Sequence, residues 1–300
     1  DLYKYIKKLS PDIIHSWMYH ADLIGGIVGK FANVPKIIWG VRSADFLTEN
    51  TNFTLKLVFK MCALVSGKVP DLVVYNSQKG LNFHQALGYS SCKSEVIYNW
   101  IDCDEFKPRT FSKRMLLKKL NVKGNKKLIG HVARLDPLKN HLGFIEFAYQ
   151  LSSLSDDYVF IMIGEGVSSS DSIIKSIIEH KIENKVYILP KCNKINKIMP
   201  AFDGTVITSF SEAFPNVMIE SLACGVPCFS TLVGDAKQIN YNEDWVINSF
   251  SMEELAGACH RHFELGPEIR MEISSKLVKY CKTNFGSLSY SKMYNEHYNF

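Results

Sequence analysis

Long apolar runs, internal repeats and a strong charge imbalance are all missing from this sequence of 300 residues. No stretch approaches the roughly 20 apolar residues that a membrane-spanning helix needs. Basic residues (35) only slightly outnumber acidic ones (30), and the formal net charge is +5. This excess is compatible with an anionic substrate or an anionic membrane surface, but it is too small to indicate nucleic acid.

The eight cysteines show no spacing that is typical of metal binding. There is no Cys-x-x-Cys pair, and no group of cysteines and histidines has the spacing of metal ligands. Several cysteines lie in apolar runs, which predicts small core residues in a reducing compartment. We therefore expect a cytoplasmic protein whose cysteines hold no metal.

Short apolar runs alternate along the chain with segments of helical periodicity, and this alternation is typical of an α/β protein with parallel sheets. The predicted strands are residues 12–15, 36–39, 72–75, 95–98, 127–132, 158–163, 185–189, 205–208, 226–230 and 245–247. The apolar stripes of two predicted helices are Leu142, Ile145, Ala148 and Leu151, and Ile173, Ile174, Ile177 and Ile178.

The length of the chain fits two domains of ordinary size. A polar segment that contains Pro108 predicts a boundary between a first domain, residues 1–108, and a second domain, residues 109–285. The aromatic tail predicts a last helix, at about 286–300, that packs back on the first domain. The basic stretch Lys113–Lys127 is either a solvated helix face or a surface for an anionic membrane.

Two glutamates lie eight positions apart across a junction between a loop and a helix. Glu212 precedes a helix that is predicted from about Pro215 to Cys224, and Glu220 is predicted to lie about two turns inside it. Pro215 suits a first helical turn because its missing N–H has no intrahelical partner there. Gly225 and the proline two residues later predict the end of this helix.

The start of this predicted helix is a candidate anion site. Its first backbone N–H groups have no intrahelical acceptors, and such an end typically attracts a phosphate. Glu212 and Glu220 are then placed to accept hydrogen bonds from hydroxyl groups on either side of that phosphate. The alternative is a surface helix with two unrelated glutamates, and Phe-Pro-Asn between the two acids favours the site.

A second motif supplies positive charge. The predicted strand 127–132 is followed by Arg134, a turn at Pro137 and Lys139 at the start of a helix. Ligands of open α/β sheets bind beyond the carboxyl ends of the strands, where Arg134 falls. Arginine offers a planar fork for phosphate oxygens and lysine adds a compact charge. The alternative is a solvated pair that caps a helix.

Together these motifs resemble the E-x7-E element and the Arg/Lys pair of the retaining glycosyltransferases of family 4. The resemblance covers essentially the whole chain. It implies the α/β GT-B fold, with two doubly wound Rossmann-like domains that face a cleft. It also implies a metal-independent transfer of a hexose-type sugar from a nucleoside-diphosphate sugar, which is a substrate and not a cofactor.

The resemblance also implies roles for individual residues. Glu212 faces the transferred sugar and Glu220 the ribose of the donor, whereas Arg134 and Lys139 hold the diphosphate. The other donor-side positions are Phe214, Pro215, Asn216, Val217, Gly164 and Arg42. Gly164 lies in a turn that resembles the family's turn beside the nucleotide base, and the alternative is a simple turn. The acceptor is expected to be a glycan or a lipid-linked intermediate of bacterial surface polysaccharide synthesis, and peripheral association with the inner membrane surface fits such a substrate.

The chain departs from the family at two positions. Many relatives carry histidine where Arg42 stands and glycine where Trp100 stands, so Arg42 is either a phosphate ligand or a surface loop residue. His20 is either an acceptor-side residue or likewise a surface residue. Asp102-Cys103-Asp104 spells the metal motif of another glycosyltransferase fold, but nothing around it in the sequence supports a metal site.

The first domain has fewer predicted strands than the second. Family members carry further strands and a glycine-rich loop before the position of Asp12, so we expect roughly 60–80 residues to precede this sequence, including a first βα turn. Two other functions fit the resemblance. One is a GT-B-fold sugar-nucleotide 2-epimerase, and the other is a protein that binds nucleotide sugars without turnover.

Overall fold

The computed structural model describes residues 1–44, 52–109 and 112–298. The chain forms two compact units. The first unit comprises Asp1–Asn99, Glu212–Phe214 and Tyr290–Phe300, and the second comprises Trp100–Ser211 and Pro215–Ser289. The first unit therefore ends its main segment at Asn99, whereas the sequence-based boundary lies at residue 108.

The first unit is built on a four-stranded parallel sheet with the order β1-β2-β3-β4. Its strands are β1 (Ile13–Trp17), β2 (Lys36–Val41), β3 (Leu72–Tyr75) and β4 (Ser94–Val96). Its helices are α1 (Leu2–Leu9), α2 (Tyr19–Phe31), α3 (Phe53–Val65) and α4 (Gln78–Ala86).

The second unit is built on a six-stranded parallel sheet. Its strands are β5 (Lys127–Val132), β6 (Tyr158–Ile163), β7 (Val186–Leu189), β8 (Gly204–Ile207), β9 (Cys228–Thr231) and β10 (Val246–Ile247). Its helices are α5 (Ser112–Lys119), α6 (His141–Leu154), α7 (Asp171–Glu179), α8 (Ile195–Ile198), α9 (Asn216–Ala223), α10 (Ala236–Ile239), α11 (Met252–Glu264) and α12 (Pro267–Phe285). The last helix of the chain is α13 (Ser287–Tyr298), and its residues from Tyr290 onward belong to the first unit.

Strand β2 of the first unit is buried on both faces of its sheet, which explains its nearly continuous apolar sequence. Successive side chains of a strand point to opposite faces. Ile37 and Trp39 pack in a core that α2 and α3 also line. Ile38 packs on the other face with Tyr294 of α13. The last helix thus covers one face of this sheet.

Strand β6 of the second unit is buried at every position. On one face, Phe144 and Phe147 of α6 lie with their ring centroids 6.2 and 6.4 Å from that of Phe160. On the other face, Ile161 packs in a core that also contains Phe202. Because such strands are buried on both faces, they can be predicted from the sequence as short apolar runs.

The predicted α/β architecture with parallel sheets is confirmed, and each predicted strand is present. Strands β3, β5 and β6 have the predicted bounds, and the others differ by one or two residues at one or both ends. The largest shift at a strand start is in β9, which begins at Cys228 and not at residue 226. Gly225 adopts φ 72°, in the left-handed region, and Pro227 has no N–H to donate to a neighbouring strand. These two residues separate the end of α9 from the strand.

Two predicted helix stripes are partly wrong. In α6, Ile145, Ala148 and Leu151 are buried, but Leu142 is exposed, and the buried stripe also includes Phe144 and Phe147. In α7, Ile174 and Ile178 are exposed. A helix that lies on a sheet buries one stripe, and residues on the flank of that stripe stay in solvent even when they are apolar.

The last predicted helix, about 286–300, agrees with α13 up to Tyr298, and residues 299–300 lie outside the described part of the chain. Within residues 1–44, 52–109 and 112–298, no helix has both the length and the apolar character needed to cross a membrane.

Candidate active site

The strand order of the second unit reverses between β5 and β8. In open α/β sheets, such a reversal opens a crevice beyond the carboxyl ends of the two strands, and ligands bind there. The loops that follow β5 and β8 are joined by hydrogen bonds. The Phe210 N–H donates to the Leu138 carbonyl at 2.8 Å, and the Thr208 hydroxyl donates to the Asn140 carbonyl at 2.9 Å.

Arg134 lies on the loop that follows β5, at the edge of this crevice. Its guanidinium Nη2 lies 2.7 Å from Asp136 Oδ2, and its side chain is 70% exposed. Hydrogen bonding from Arg134 holds the pKa of the Asp136 carboxyl below its usual range. Asp136 also accepts a hydrogen bond from the Leu138 N–H at 3.0 Å. The acid therefore fixes the turn that carries the arginine.

Lys139 ends the short 3-10 turn Pro137–Lys139, and it does not lie in the first turn of α6 as the sequence indicates. Asn140 separates the two elements with a left-handed backbone, φ 48° and ψ 57°. Its side-chain oxygen caps α6 by accepting the Gly143 N–H at 3.0 Å. Asparagine is one of the few residues that both tolerate a left-handed backbone and cap a helix with their side chain.

Gly164 lies where the loops after β5 and β6 approach each other most closely. A Cβ atom at this position would be 1.8 Å from the Ala133 carbonyl oxygen, so no other residue fits without a shift of the backbone. The Leu135 N–H donates to the Glu165 carbonyl at 2.7 Å and fastens the two loops. Gly164 thus has a structural reason for its identity, and its predicted contact with a nucleotide base stays a prediction.

Helix α9 begins after Pro215, which is its N-cap and not its first helical residue. Pro215 itself has no side chain that can cap this end, and the first N–H groups of a helix have no intrahelical acceptor. The predicted end of the helix is confirmed, because Cys224 is the C-cap and Gly225 adopts φ 72°. The helix therefore presents its amino end as an anion site would.

Glu220 lies little more than one turn inside α9, and not two turns as the sequence indicates. Its side chain is largely buried, and this desolvation raises its pKa to about 7. Within the part of the chain that the structure describes, no group donates a hydrogen bond to its carboxylate. A carboxyl group that is largely removed from water and accepts no hydrogen bond from the described residues is costly, and such groups are concentrated at functional sites.

Glu212, Ala213 and Phe214 belong to the first unit, whereas Pro215 and the residues after it belong to the second. Glu212 is half-buried. Phe214 is buried, and its ring centroid lies 5.5 Å from that of Tyr98. The two glutamates of the predicted motif are thus members of different units.

Arg42 directly follows β2 at the carboxyl edge of the first sheet. Its Nη1 donates to Asn99 Oδ1 at 3.0 Å, and its guanidinium carbon lies 5.9 Å from the centroid of the Trp17 ring. His20 is exposed in the first turn of α2, which follows β1. Both predicted residues therefore lie at the same edge of this sheet, where a substrate of the first unit would bind.

A buried acid at this edge is not evident from the sequence alone. Asp22 is 1% exposed, accepts a hydrogen bond from the Ser16 hydroxyl at 2.7 Å and has its pKa raised to about 7 by burial. Met18, the N-cap of α2 one turn before Asp22, adopts φ 71° and ψ 155°, a backbone region that is essentially restricted to glycine. The local sequence does not predict this backbone conformation, because methionine does not favour it.

The Asp102-x-Asp104 sequence has a local structural role. The Asp102 carboxylate accepts hydrogen bonds from the Asp104 N–H at 2.8 Å and the Glu105 N–H at 3.1 Å. This is the way in which aspartate stabilises a turn. Across the described residues, no three side chains of histidine, cysteine, aspartate or glutamate are grouped so that they could hold a metal ion.

Two family models match the chain. Residues 112–279 match the model described as glycosyl transferases group 1. Residues 1–105 match the model described as Glycosyltransferase Family 4. The first match alone covers more than half of the 300 residues.

Two bacterial relatives illustrate the sequence similarity. One is the UDP-Gal:alpha-D-GlcNAc-diphosphoundecaprenol alpha-1,3-galactosyltransferase of Escherichia coli, 28% identical over 83% of this chain and 63% of that protein. The other is an N-acetylgalactosamine-N,N'-diacetylbacillosaminyl-diphospho-undecaprenol 4-alpha-N-acetylgalactosaminyltransferase of Campylobacter jejuni, 35% identical over 74% of this chain and 58% of that protein. The chain thus spans about three fifths of the length of these relatives.

Solved structures show the same fold. Alr3699/HepE of Anabaena, crystallised in complex with UDP, matches 99% of this chain and 80% of its own chain, with a TM-score of 0.87 and 21% identity. Sucrose-phosphate synthase of Thermosynechococcus elongatus matches 99% of this chain and 75% of its own, with a TM-score of 0.79 and 16% identity.

Proposed function

The chain belongs to the glycosyl transferases group 1 family and has the GT-B fold, and on that premise we propose that it is a retaining, metal-independent glycosyltransferase. The proposed reaction moves a hexose-type sugar from a nucleoside-diphosphate sugar to a hydroxyl group of an acceptor. One observation carries this proposal. Arg134 and Lys139 lie on the loop that follows β5, hydrogen-bonded to the loop after β8, where the strand order of the second sheet reverses.

The diphosphate of the donor is the proposed ligand of this positive charge. Breaking the bond between sugar and diphosphate builds negative charge on the departing oxygen. Cations placed at that oxygen act mainly in the transition state, where such groups are typically worth several kcal/mol. The Arg134 guanidinium can donate hydrogen bonds to two phosphate oxygens, and Lys139 adds a compact positive charge. The amino end of α9 supplies further N–H donors.

Glu220 is the proposed partner of the ribose. Its carboxyl group lacks a hydrogen-bond donor among the described residues, and a pair of ribose hydroxyls would supply donors. Its depth in α9 keeps it behind the amino end of the helix, where the phosphate is expected. The resemblance assigns Glu212 to the transferred sugar and Arg42 to the donor phosphate, and we retain both as proposals.

We propose a single chemical step that retains the configuration, as the resemblance to the family implies. The acceptor oxygen attacks the anomeric carbon on the face from which the diphosphate leaves. The bond between the anomeric carbon and the phosphate oxygen breaks, and the diphosphate departs with the bonding electrons. The proton of the acceptor hydroxyl passes to the departing phosphate oxygen, so no carboxylate pair is needed as nucleophile and acid.

The acceptor class is proposed from the relatives. Both named relatives act, by their names, on sugars linked through a diphosphate to undecaprenol. We therefore propose a polyprenyl-diphosphate-linked saccharide as acceptor and a uridine-diphosphate hexose or N-acetylhexosamine as donor. Such an acceptor places the enzyme at the cytoplasmic face of the membrane.

The test is an incubation of the protein with a panel of nucleotide sugars and a polyprenyl-diphosphate-linked N-acetylglucosamine. Transfer with retention of the donor's anomeric configuration, measured by NMR of the product, supports the proposal. Epimerised donor without transfer supports the 2-epimerase, and binding of donor without turnover supports a non-catalytic protein. Glu212→Ala should abolish transfer in a folded protein, and unchanged transfer in this variant contradicts the assigned role.

A further inference from the structure

A cavity of about 590 Å³ lies in the second unit, away from the candidate active site. Its wall includes Phe202 and Asp203, directly before β8, and Val226 and Pro227, directly before β9. The cavity therefore lies at the amino ends of these parallel strands, whereas the crevice of the candidate active site lies beyond their carboxyl ends. Its volume is in the usual range for a site that holds a small molecule.

Two arginines line this cavity, and no carboxylate of the described residues forms an ion pair with either of them. The Nη2 group of Arg109 donates to the Glu105 carbonyl at 3.4 Å, and the Nη1 group of Arg270 donates to the Phe263 carbonyl at 3.2 Å. A guanidinium group carries five N–H donors, so one such bond leaves most of them for a ligand.

The negative charge at the cavity wall is already balanced. Among the described residues that line the cavity, Asp203 alone carries a carboxylate. Its Oδ2 atom lies 2.7 Å from Lys113 Nζ and accepts the Leu128 N–H at 2.7 Å. Cys224 and Gly225 bring the carboxyl end of α9 to the wall, and a helix end of this kind adds only a partial negative charge. The two arginines therefore leave the cavity with an excess of positive charge.

A buried histidine with an unsatisfied nitrogen lines the same cavity. His262 is 5% exposed, and its Nδ1 atom has no hydrogen-bond partner among the described residues. Burial and the nearby charge of Arg270 lower its pKa to about 4, so the ring is neutral near pH 7. A buried polar atom without a partner is costly, and such groups are concentrated at functional sites.

The rest of the wall is apolar and largely rigid. Its apolar members include Pro108, Pro200, Pro227, Pro267 and Met271. The ring of proline fixes one backbone dihedral, so a wall of prolines loses little conformational freedom when a ligand binds. Methionine is flexible and adapts to the shape of an apolar group. One part of the cavity thus suits an anion and the other an apolar body.

We propose that this proline-lined cavity binds a small soluble phosphate monoester, with its phosphate at Arg109 and Arg270 and its apolar body on the proline wall. A phosphate monoester carries about two negative charges near neutral pH, whereas a carboxylate carries one. Two arginines without carboxylate partners match the dianion, and the guanidinium fork suits phosphate oxygens. This inference does not depend on the proposed reaction.

The test is isothermal titration of the full chain with hexyl phosphate at about pH 7.5. We expect one hexyl phosphate per chain, and affinities roughly tenfold lower for inorganic phosphate and for hexanoate. Inorganic phosphate has no apolar body, and hexanoate has one charge fewer. Arg134→Ala should bind hexyl phosphate as the unchanged chain does, because Arg134 lies at the other edge of the sheet.

The role of the two arginines is tested by changing them together. Arg109→Gln with Arg270→Gln should weaken hexyl phosphate binding by roughly tenfold or more, because charged hydrogen-bond donors are lost. The matched control is Arg114→Gln with Arg261→Gln, which removes two exposed arginines of the same unit that do not line the cavity. This control pair should bind hexyl phosphate with unchanged affinity.

A second variant covers the case in which the arginine pair variant does not fold. Met271 is 65% exposed, so Met271→Glu should fold and place a carboxylate at the cavity wall, where it repels the phosphate and weakens binding. Ile178→Glu on α7 is its control, because this side chain is 55% exposed and lies outside the cavity. Equal weakening in both variants contradicts the assigned position of the phosphate.

Four results overturn the proposal. They are no binding of hexyl phosphate, equal affinity for inorganic phosphate, unchanged binding by a folded Arg109→Gln and Arg270→Gln variant, and loss of binding in Arg134→Ala. Vesicles of phosphatidic acid that bind the chain through the same two arginines would assign the phosphate to a lipid and overturn the soluble ligand. Since binding is measured without sugar transfer, failure of this proposal and failure of the proposed reaction are distinguishable.

Discussion

Arg134 and Lys139 carry the positive charge on which the proposed reaction depends. Each single change to alanine should lower kcat/KM for sugar transfer by roughly 10²–10³-fold, the usual effect of removing one group that stabilises developing charge. Arg134→Lys should retain more activity than Arg134→Ala, because it keeps the charge and loses the fork. Steady-state rates with a saturating acceptor measure both effects.

The control for these two variants is Lys118→Ala, which removes an exposed charge from α5 of the same unit. Its rates should equal those of the unchanged protein. If Arg134→Ala transfers sugar at the full rate while its thermal unfolding is normal, the crevice beyond β5 and β8 is not where the diphosphate binds.

Glu220 makes a prediction about stability and pH. Its pKa rises from 4.5 to about 7 on folding, because burial disfavours its charged form. Between these two pH values the unfolded chain releases the proton while the folded chain keeps it, so this group lowers stability as the pH rises from 4.5 to 7. Below 4.5 the contribution vanishes, and above 7 the destabilisation is complete.

Glu220→Gln should therefore be more stable than the unchanged protein at pH 8, on the order of 1–3 kcal/mol, and the gain should shrink toward pH 4.5. Urea unfolding at pH 5 and pH 8 measures this difference. The same variant should bind UDP about tenfold more weakly, because a hydrogen bond to the ribose involves a charged acceptor. A stability gain that is equal at both pH values contradicts the buried carboxyl.

The loops at the carboxyl ends of the strands set the geometry of the site at the scale of elements. Gly164→Ala should destabilise the protein by more than about 3 kcal/mol or prevent folding, because its Cβ would lie 1.8 Å from the Ala133 carbonyl oxygen. Gly257→Ala in α11 is the matched control, because a Cβ atom there would lie 3.4 Å from a nitrogen of the flexible Arg261 side chain. This control should be neutral or more stable, since alanine favours a helix by up to about 1 kcal/mol.

Thermal unfolding of both glycine variants provides the comparison. If Gly164→Ala and Gly257→Ala unfold at the same temperature, the two loops are not packed as closely as the distance between Gly164 and Ala133 requires. A large loss of stability confined to Gly164→Ala indicates that packing, and not only a nucleotide base, fixes the identity of this residue.

The strands could be predicted from the sequence because both sheets bury their central strands on two faces. Burial of that kind leaves short apolar runs such as Tyr158–Ile163, which local patterns reveal. The exposed positions of Leu142 and Ile174 could not be predicted, since they depend on which stripe of a helix meets the sheet. Periodicity alone does not show which of two neighbouring apolar residues on a helix is the more buried.

The parts of the candidate site that depend on charged residues and on the start of a helix could be predicted from the sequence. Arg134, Lys139 and the amino end of α9 are visible in the sequence through charge and helix signals. Hydrogen bonds between loops that are far apart in the sequence are not indicated by any local pattern. The bond that the Thr208 hydroxyl donates to the Asn140 carbonyl is an example. The same applies to the grouping of Glu212–Phe214 with the first unit, because it depends on contacts with residues that are far away in the sequence.

At the scale of the whole molecule, the charge arrangement makes a prediction about metal dependence. A nucleoside diphosphate that leaves a sugar carries charge that many enzymes neutralise with Mg²⁺. In this chain, Arg134, Lys139 and the start of α9 are the groups that we propose for the same purpose, at the edge of one sheet. We therefore expect sugar transfer to continue at an unchanged rate in excess EDTA.

The prediction is checked by measuring initial rates with EDTA, and then with added Mg²⁺ or Mn²⁺, at constant ionic strength. Constant ionic strength matters because screening weakens the attraction between exposed cations and the diphosphate. Arg134→Ala provides the decisive comparison. If the side chains replace a metal, this variant stays slow in EDTA and recovers part of its rate when Mg²⁺ is added. A chain that stops in EDTA and recovers fully with Mg²⁺ uses the ion itself, and then the role assigned to Arg134 and Lys139 is wrong.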